Sequence, residues 1–199
     1  MSTTLKYRII FTEGVLGTQP TDPEIYEKFI GSKAPDAPTL EDEVAALGAE
    51  AVVDKSITAF PRNEDGNPFM YDYQVKGFFK DACSALARVP DTKSAKLKAF
   101  KKVIDGCIFP SPRKIPLKYE GDITLCQRPL RAQTAQGERI SLACSEELPA
   151  GTQCEFEVLC LNDAHAELVK EWMEYGRLKG FLQWRNSGKG RFICEEIAS

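Results

Sequence analysis

Residues 180–192 read Gly180-Phe181-Leu182-Gln183-Trp184-Arg185-Asn186-Ser187-Gly188-Lys189-Gly190-Arg191-Phe192. Glycines bracket an aromatic and a basic cluster. Glycine permits positive φ and lets backbone approach a ligand closely. Arg185, Lys189 and Arg191 have the chemistry to meet phosphates, and Trp184 the flat face to stack on a base. The same residues also fit a tight turn with solvated arginines. Spacing alone leaves both readings open.

Immediately upstream, residues 163–175 repeat apolar side chains at helical spacing and end at Gly176. Before them, Cys154, Phe156, Val158 and Cys160 alternate with Glu155 and Glu157, the pattern of a half-buried strand. At the other end of the chain, Leu5, Tyr7, Ile9 and Phe11 alternate with Lys6 and Arg8 in a first strand. The helix expected at about 73–88 carries Val75, Phe78, Phe79, Ala82 and Leu86 inward, with Asp72 as its cap. A lysine-rich helix is expected at about 93–105, capped by Thr92. Residues 106–119 read as loop and edge strand, because three prolines interrupt them. Strands are expected at 57–60, 121–126, 139–144 and 191–197, with 128–137 as a long polar connection. This order of strand, helix, strands, helix, strand is that of an α+β, ferredoxin-like (RRM-like) sandwich. Residues 18–56 interrupt it as a mostly helical, acidic insertion, with helix starts at Asp22 and Thr39. The whole chain, 1–199, is expected to form a single domain.

The chain has 199 residues, 43% hydrophobic and 28% charged, an ordinary soluble globular composition. No apolar run reaches the ~18 residues of a membrane span, and the N-terminus lacks the apolar core of a signal peptide. A cytoplasmic protein without membrane contact is expected. Its seven cysteines are widely spaced and its one histidine is His165. That pattern gives no clustered zinc ligands and fits free thiols in a reducing compartment. No metal and no cofactor is expected. The lone histidine sits in the first turn of a helix, the wrong place for triad or dyad chemistry. Gly188-Lys189 lacks the upstream glycine and the following Ser or Thr of a nucleotide-triphosphate loop.

Net charge is −3, but it is unevenly spread. Residues 21–74 carry four bases and twelve acids, whereas residues 75–139 carry fourteen bases and six acids. A −8 segment followed by a +8 segment points to polyanion binding on one face. Lysines 93, 96, 98, 101 and 102, taken alone, read as a solvated helix face.

The glycine-rich stretch resembles the loop of the CRISPR-associated RAMP superfamily, especially backbone subunits of type III effector complexes. Residues 63–82, NEDGNPFMYDYQVKGFFKDA, resemble the family's segment leading into its first helix, where a Gly-Asn-Pro-like turn precedes Lys-Gly. Residues 128–156, RPLRAQTAQGERISLACSEELPAGTQCEF, resemble its arginine-bearing loop and the turn before a strand. Residues 163–192 resemble its closing helix and glycine loop, so the likeness covers roughly residues 60–197 in matching order. Two departures stand out. Gly14-Val15-Leu16-Gly17-Thr18-Gln19-Pro20 replaces a His-Ile-Gly-Gly-like element, and Tyr71-Asp72-Tyr73-Gln74 replaces the Pro-Gly-Ser-Ser before Lys-Gly.

The resemblance implies a RAMP fold and an RNA-binding, non-catalytic backbone-type subunit of a CRISPR-like ribonucleoprotein effector. Its partners would be single-stranded guide RNA, copies of itself assembled head to tail, and other effector subunits. The RNA-binding residues expected are Lys76, Lys80, Arg128, Arg131, Trp184, Arg185, Lys189 and Arg191, with Gly180, Gly188 and Gly190 shaping the loop. Family members cut target RNA with a loop aspartate; Asp54 is the positional match, and a capping or solvated role accounts for it more simply. Endoribonuclease chemistry with His165 ranks last. The alternative function is a phage or mobile-element protein that keeps the RAMP fold and acts by protein–protein interaction, as anti-defence or assembly protein. The acidic total and the acidic insertion motivate it. The two readings part on whether the basic residues of 75–139 and 185–191 converge.

Overall fold

The computed structural model describes residues 2–20, 57–134 and 137–197. In chain order it contains β1 (Thr3–Phe11), β2 (Val15–Leu16), β3 (Gln19–Pro20), β4 (Ile57–Ala59), β5 (Phe69–Tyr71) and α1 (Asp72–Leu86). Then follow α2 (Phe100–Cys107), β6 (Ile108–Ser111), β7 (Lys114–Pro116), β8 (Thr124–Thr134) and β9 (Gly137–Leu148). The last elements are β10 (Gln153–Cys160), α3 (Asp163–Tyr175) and β11 (Phe192–Glu196). The architecture is mixed α+β. The chain divides into two compact units, one of residues 1–15, 61–122 and 148–199, the other of 16–60 and 123–147. The expected helices near Asp22 and Thr39 lie outside the described residues.

The larger unit is built on an antiparallel sheet of order β11-β1-β10-β6. Alternation in β1 sends Leu5, Tyr7, Ile9 and Phe11 to one face, and β10 matches it with Cys154, Phe156, Val158 and Cys160. On this face lie α1 and α3, where Phe79 meets Trp172 at 5.4 Å between centroids. Phe181 and Phe192 stack in parallel at 4.6 Å, and Phe78 and Phe11 meet that stack edge-on. Each buried Phe contributes about 1.5–3 kcal/mol, so this cluster is a main source of stability. The other face carries cross-strand charges, Lys6 with Glu157 and Arg8 with Glu155. The hydrogen bond from Arg8 holds the Glu155 carboxyl below its usual range. Burial pushes the Cys160 thiol up to about 11, which keeps it protonated and unreactive.

Three local expectations are corrected. Asp72 is the first residue of α1 rather than its cap: Tyr71 holds that place, and Gln74 Oε1 accepts from the Tyr71 N–H at 2.8 Å. The lysine-rich segment is not one helix. It forms a 3₁₀ turn over Ser94–Lys96 and then α2, with Ala99 at φ 51° breaking the path between them. Thr92 does cap that turn, its hydroxyl accepting from the Ala95 N–H at 3.1 Å. Glu171 of α3 holds the start of the turn, accepting from the N–H groups of Lys93 at 2.7 Å and Ser94 at 3.0 Å. Trp172 Nε1 completes the clamp by donating to Ser94 Oγ at 2.9 Å. Glu171→Ala strips these donors of their acceptor. It is expected to cost about 1–3 kcal/mol, read as a lower urea midpoint; an unchanged midpoint would show that the clamp is not structural.

The third correction concerns residues 128–137. They are not a connection but the end of a long antiparallel ribbon, β8 paired with β9 from Thr124↔Glu147 to Thr134↔Gly137. This ribbon belongs to the smaller unit, where β9 also pairs in parallel with β4 through Ile57↔Cys144. The sequence over 128–137 lacks a regular apolar alternation, and the ladder of backbone hydrogen bonds needs none, so this end of the ribbon escapes a periodicity reading.

Candidate nucleic-acid interface

Helix α1 offers one side to the core and the other to solvent. Val75, Phe78, Phe79, Ala82 and Cys83 are buried. Tyr73, Lys76, Gly77, Lys80 and Asp81 follow the 3.6-residue repeat along the opposite ridge. Three carboxylates along this ridge each gather cations. Asp72 binds Arg113 at 2.7 Å. Asp105 of α2 binds Lys80 at 2.6 Å, and its backbone carbonyl accepts from Lys76 at 3.1 Å. Asp81 binds Lys179 at 2.9 Å and Arg185 at 3.4 Å. The five cations Arg113, Lys76, Lys80, Lys179 and Arg185 thus exceed the three carboxylates by two. All these pairs are partly exposed, so solvent screens each one and leaves the cations able to exchange partners. Lys101 and Lys102 of α2 add exposed positive charge beside Asp105.

Gly77 stands in the middle of this ridge. A Cβ there would meet nothing within 4 Å. Internal packing therefore does not call for glycine, although glycine costs a helix interior about 1 kcal/mol relative to alanine.

The glycine-rich loop has a different logic. A Cβ on Gly180 would lie 1.9 Å from the Gly190 carbonyl carbon, and Gly190 adopts φ 69° against the Phe181 carbonyl. Phe181 N–H donates to Gly190 O at 2.9 Å, and Gly190 N–H to Gly14 O at 2.9 Å. Gly188, at φ 90°, closes the 3₁₀ turn Arg185–Ser187. These glycines let two backbone stretches cross in contact. The crossing seats the Phe181–Phe192 stack in the core and holds Arg185 out toward α1.

The expected site residues are placed as follows. Lys76, Lys80 and Arg185 come together on the α1 ridge. Arg191 is exposed on the loop, its Nε donating to Leu178 O at 3.1 Å. Trp184, at φ 54°, precedes the 3₁₀ turn and is 37% exposed, while Lys189 lies between the turn and Gly190. Arg128 and Arg131 belong to the smaller unit. Arg128 is 6% exposed and donates to Ser145 Oγ at 3.1 Å. Arg131 lies in β8 opposite Ile140. Asp54 lies outside the described residues. Among the described residues, no three His, Cys, Asp or Glu side chains gather to hold a metal ion, and no helix is long and apolar enough to cross a membrane. Arg113 and Lys179 escaped the sequence reading. Lys179 directly precedes Gly180, a position that could have marked it.

Comparison with solved structures finds a distant likeness in fold alone. The chain is similar to one in a cryo-EM structure of the Type III-B Cmr-beta bound to cognate target RNA, with a TM-score of 0.54 and 8% sequence identity. The likeness covers 99% of this chain and 60% of that one, so the chain spans about three fifths of the length of its structural neighbour. No protein-family model matches the sequence, and no curated protein matches it.

Proposed function

We propose that this protein is an RNA-binding, non-catalytic backbone-type subunit of a CRISPR-like ribonucleoprotein effector. The observation that carries the reading is the gathering of Arg113, Lys76, Lys80, Lys179 and Arg185 along the exposed ridge of α1. A single RNA strand laid along the ridge would exchange screened carboxylate contacts for phosphate contacts and release counterions. Base pairing in the nucleic acid, rather than side chains, would then supply sequence selection. The strand order β11-β1-β10-β6, with α1 and the short α2 between β1 and β6 and α3 between β10 and β11, supports the ferredoxin-like form of the fold. The fold of the structural neighbour, a chain from an RNA-bound complex, supports the same reading. Guide RNA, further copies in head-to-tail array and other effector subunits are its partners, in the cytoplasm.

The test is fluorescence anisotropy against a short single-stranded RNA across a salt series. Binding is expected to weaken steeply with salt. Lys76→Ala, Lys80→Ala and Arg185→Ala are each expected to lower affinity and to reduce the slope of log K against log salt by ~0.7. His165→Ala is expected to leave both unchanged. An absence of binding at low salt would overturn the reading and favour the protein–protein alternative.

A further inference from the structure

Tyr71-Asp72-Tyr73, where the sequence departs from the RAMP-like pattern, builds an aromatic cluster at the start of α1. The rings of Tyr71 and Tyr73 are stacked at 5.2 Å between centroids with an interplanar angle of 17°. Phe69 meets Tyr71 edge-on at 5.1 Å. The guanidinium carbon of Arg113 lies 5.7 Å from the Tyr71 centroid and 5.6 Å from that of Tyr73. Arg113 is fixed there twice: its Nη1 pairs with Asp72 Oδ1 at 2.7 Å, and its carbonyl accepts from the Asp72 N–H at 3.1 Å. Lys114 lies 5.3 Å from the Phe69 centroid, and Lys76 lies 4.7 Å from that of Phe109. Yet Tyr73 is 53% exposed.

A large ring held in a fixed stack at the surface, with cations on its flanks, matches two needs of one ligand. The ring offers an apolar surface, and Arg113, which lies over Tyr71 and Tyr73, offers a site for an anion beside it. We propose that Tyr73, backed by Tyr71 and flanked by Arg113, is a stacking platform for one unpaired nucleobase, with Arg113, and Lys114 at the Phe69 end of the cluster, taking the adjoining phosphates. This rests on the RNA-binding reading and deepens it. The platform sits at the N-terminal end of the same ridge that carries Lys76 and Lys80. A strand running along those lysines would bring a base to Tyr73 at its end. Stacking tolerates any base, since each has a π face, so the platform would fix the register of the strand without reading its sequence. A proline-rich peptide also docks on tyrosine pairs, but it has no use for Arg113, Lys114 and Lys76 together.

The test uses the full chain and single-stranded oligouridine RNAs with one 2-aminopurine walked along the sequence. At one position, fluorescence is expected to change on binding. Tyr73→Ala is expected to abolish that change and to weaken binding about tenfold, while Tyr73→Phe keeps both. Lys80→Ala weakens binding but leaves the fluorescence change at saturation. If wild-type protein binds RNA and Tyr73→Ala behaves like it, the platform is wrong and the RNA reading stands. If wild-type protein binds no RNA, both fall. Binding of a proline-rich peptide that Tyr73→Ala abolishes, with RNA binding untouched, assigns the cluster to a protein partner and also overturns the proposal.

Discussion

Gly77→Leu should make the folded protein more stable and its RNA complex weaker. Leucine is favoured over glycine in a helix interior by about 0.7–1 kcal/mol. A Cβ at this exposed position meets nothing within 4 Å, so the start of the new side chain is not resisted. Thermal or urea unfolding should therefore shift upward. The same side chain would stand between Lys76, Lys80 and Asp81, where a sugar–phosphate backbone has to come close to reach both lysines. Affinity should fall at least tenfold, about 1.4 kcal/mol. No charge is removed, so the salt dependence should stay as it was, unlike in the lysine variants. Opposite signs in stability and binding separate a ligand-facing glycine from a merely tolerated one. A raised midpoint with wild-type affinity would move the RNA path away from α1.

Gly180→Ala should be the most damaging single substitution in the glycine-rich loop. The added Cβ would sit 1.9 Å from the Gly190 carbonyl carbon and 2.3 Å from the Arg191 nitrogen, and backbone cannot swing aside as a side chain can. Separating the two stretches breaks the Phe181 N–H to Gly190 O bond and pulls Phe181 off Phe192. Overpacking of this kind costs about 1–3 kcal/mol, and the lost aromatic contact adds about 0.5–1.5 kcal/mol. Against the 5–15 kcal/mol that typically separates folded from unfolded chains, the loss should appear as a large drop in urea midpoint. Asn186→Ala, on the exposed part of the same loop, serves as the control and should change little. A Gly180→Ala protein as stable as wild type would mean the crossing is looser than these distances.

Helices α1 and α3 and strands β1 and β10 were legible in the sequence, because each buries one side and its apolar spacing records that side. The break in the lysine segment was not, since Ala99, where the backbone turns left-handed, is by type a good helix former, and the Glu171 that holds the start of the turn lies about eighty positions downstream. The β8–β9 ribbon was read only in part: strands were expected at 121–126 and 139–144, but its far end lies in the backbone pairing of a stretch without apolar alternation. The candidate site divides the same way. Lys76, Lys80 and Arg185 could be named by type and neighbourhood. Their meeting through Asp81 and Asp105 could not, nor could the joining of Arg113 to Tyr71 and Tyr73. The glycines divide in two. The conspicuous ones, Gly180 and Gly190, are explained by the chain's own crossing, while inconspicuous Gly77 has no internal reason to be glycine.

The two margins of the larger sheet have a consequence for how copies could associate. Among the described residues, β6 and β11 are its outermost strands. Pro110 removes an amide donor from the first, and Glu195 and Glu196 line the second with acids. Both devices discourage growth of the sheet by strand addition. Copies are therefore not expected to join by extending this sheet into a shared backbone ladder of the amyloid kind. Contacts made through side chains at these margins could instead be released by salt or by dilution without unfolding the members.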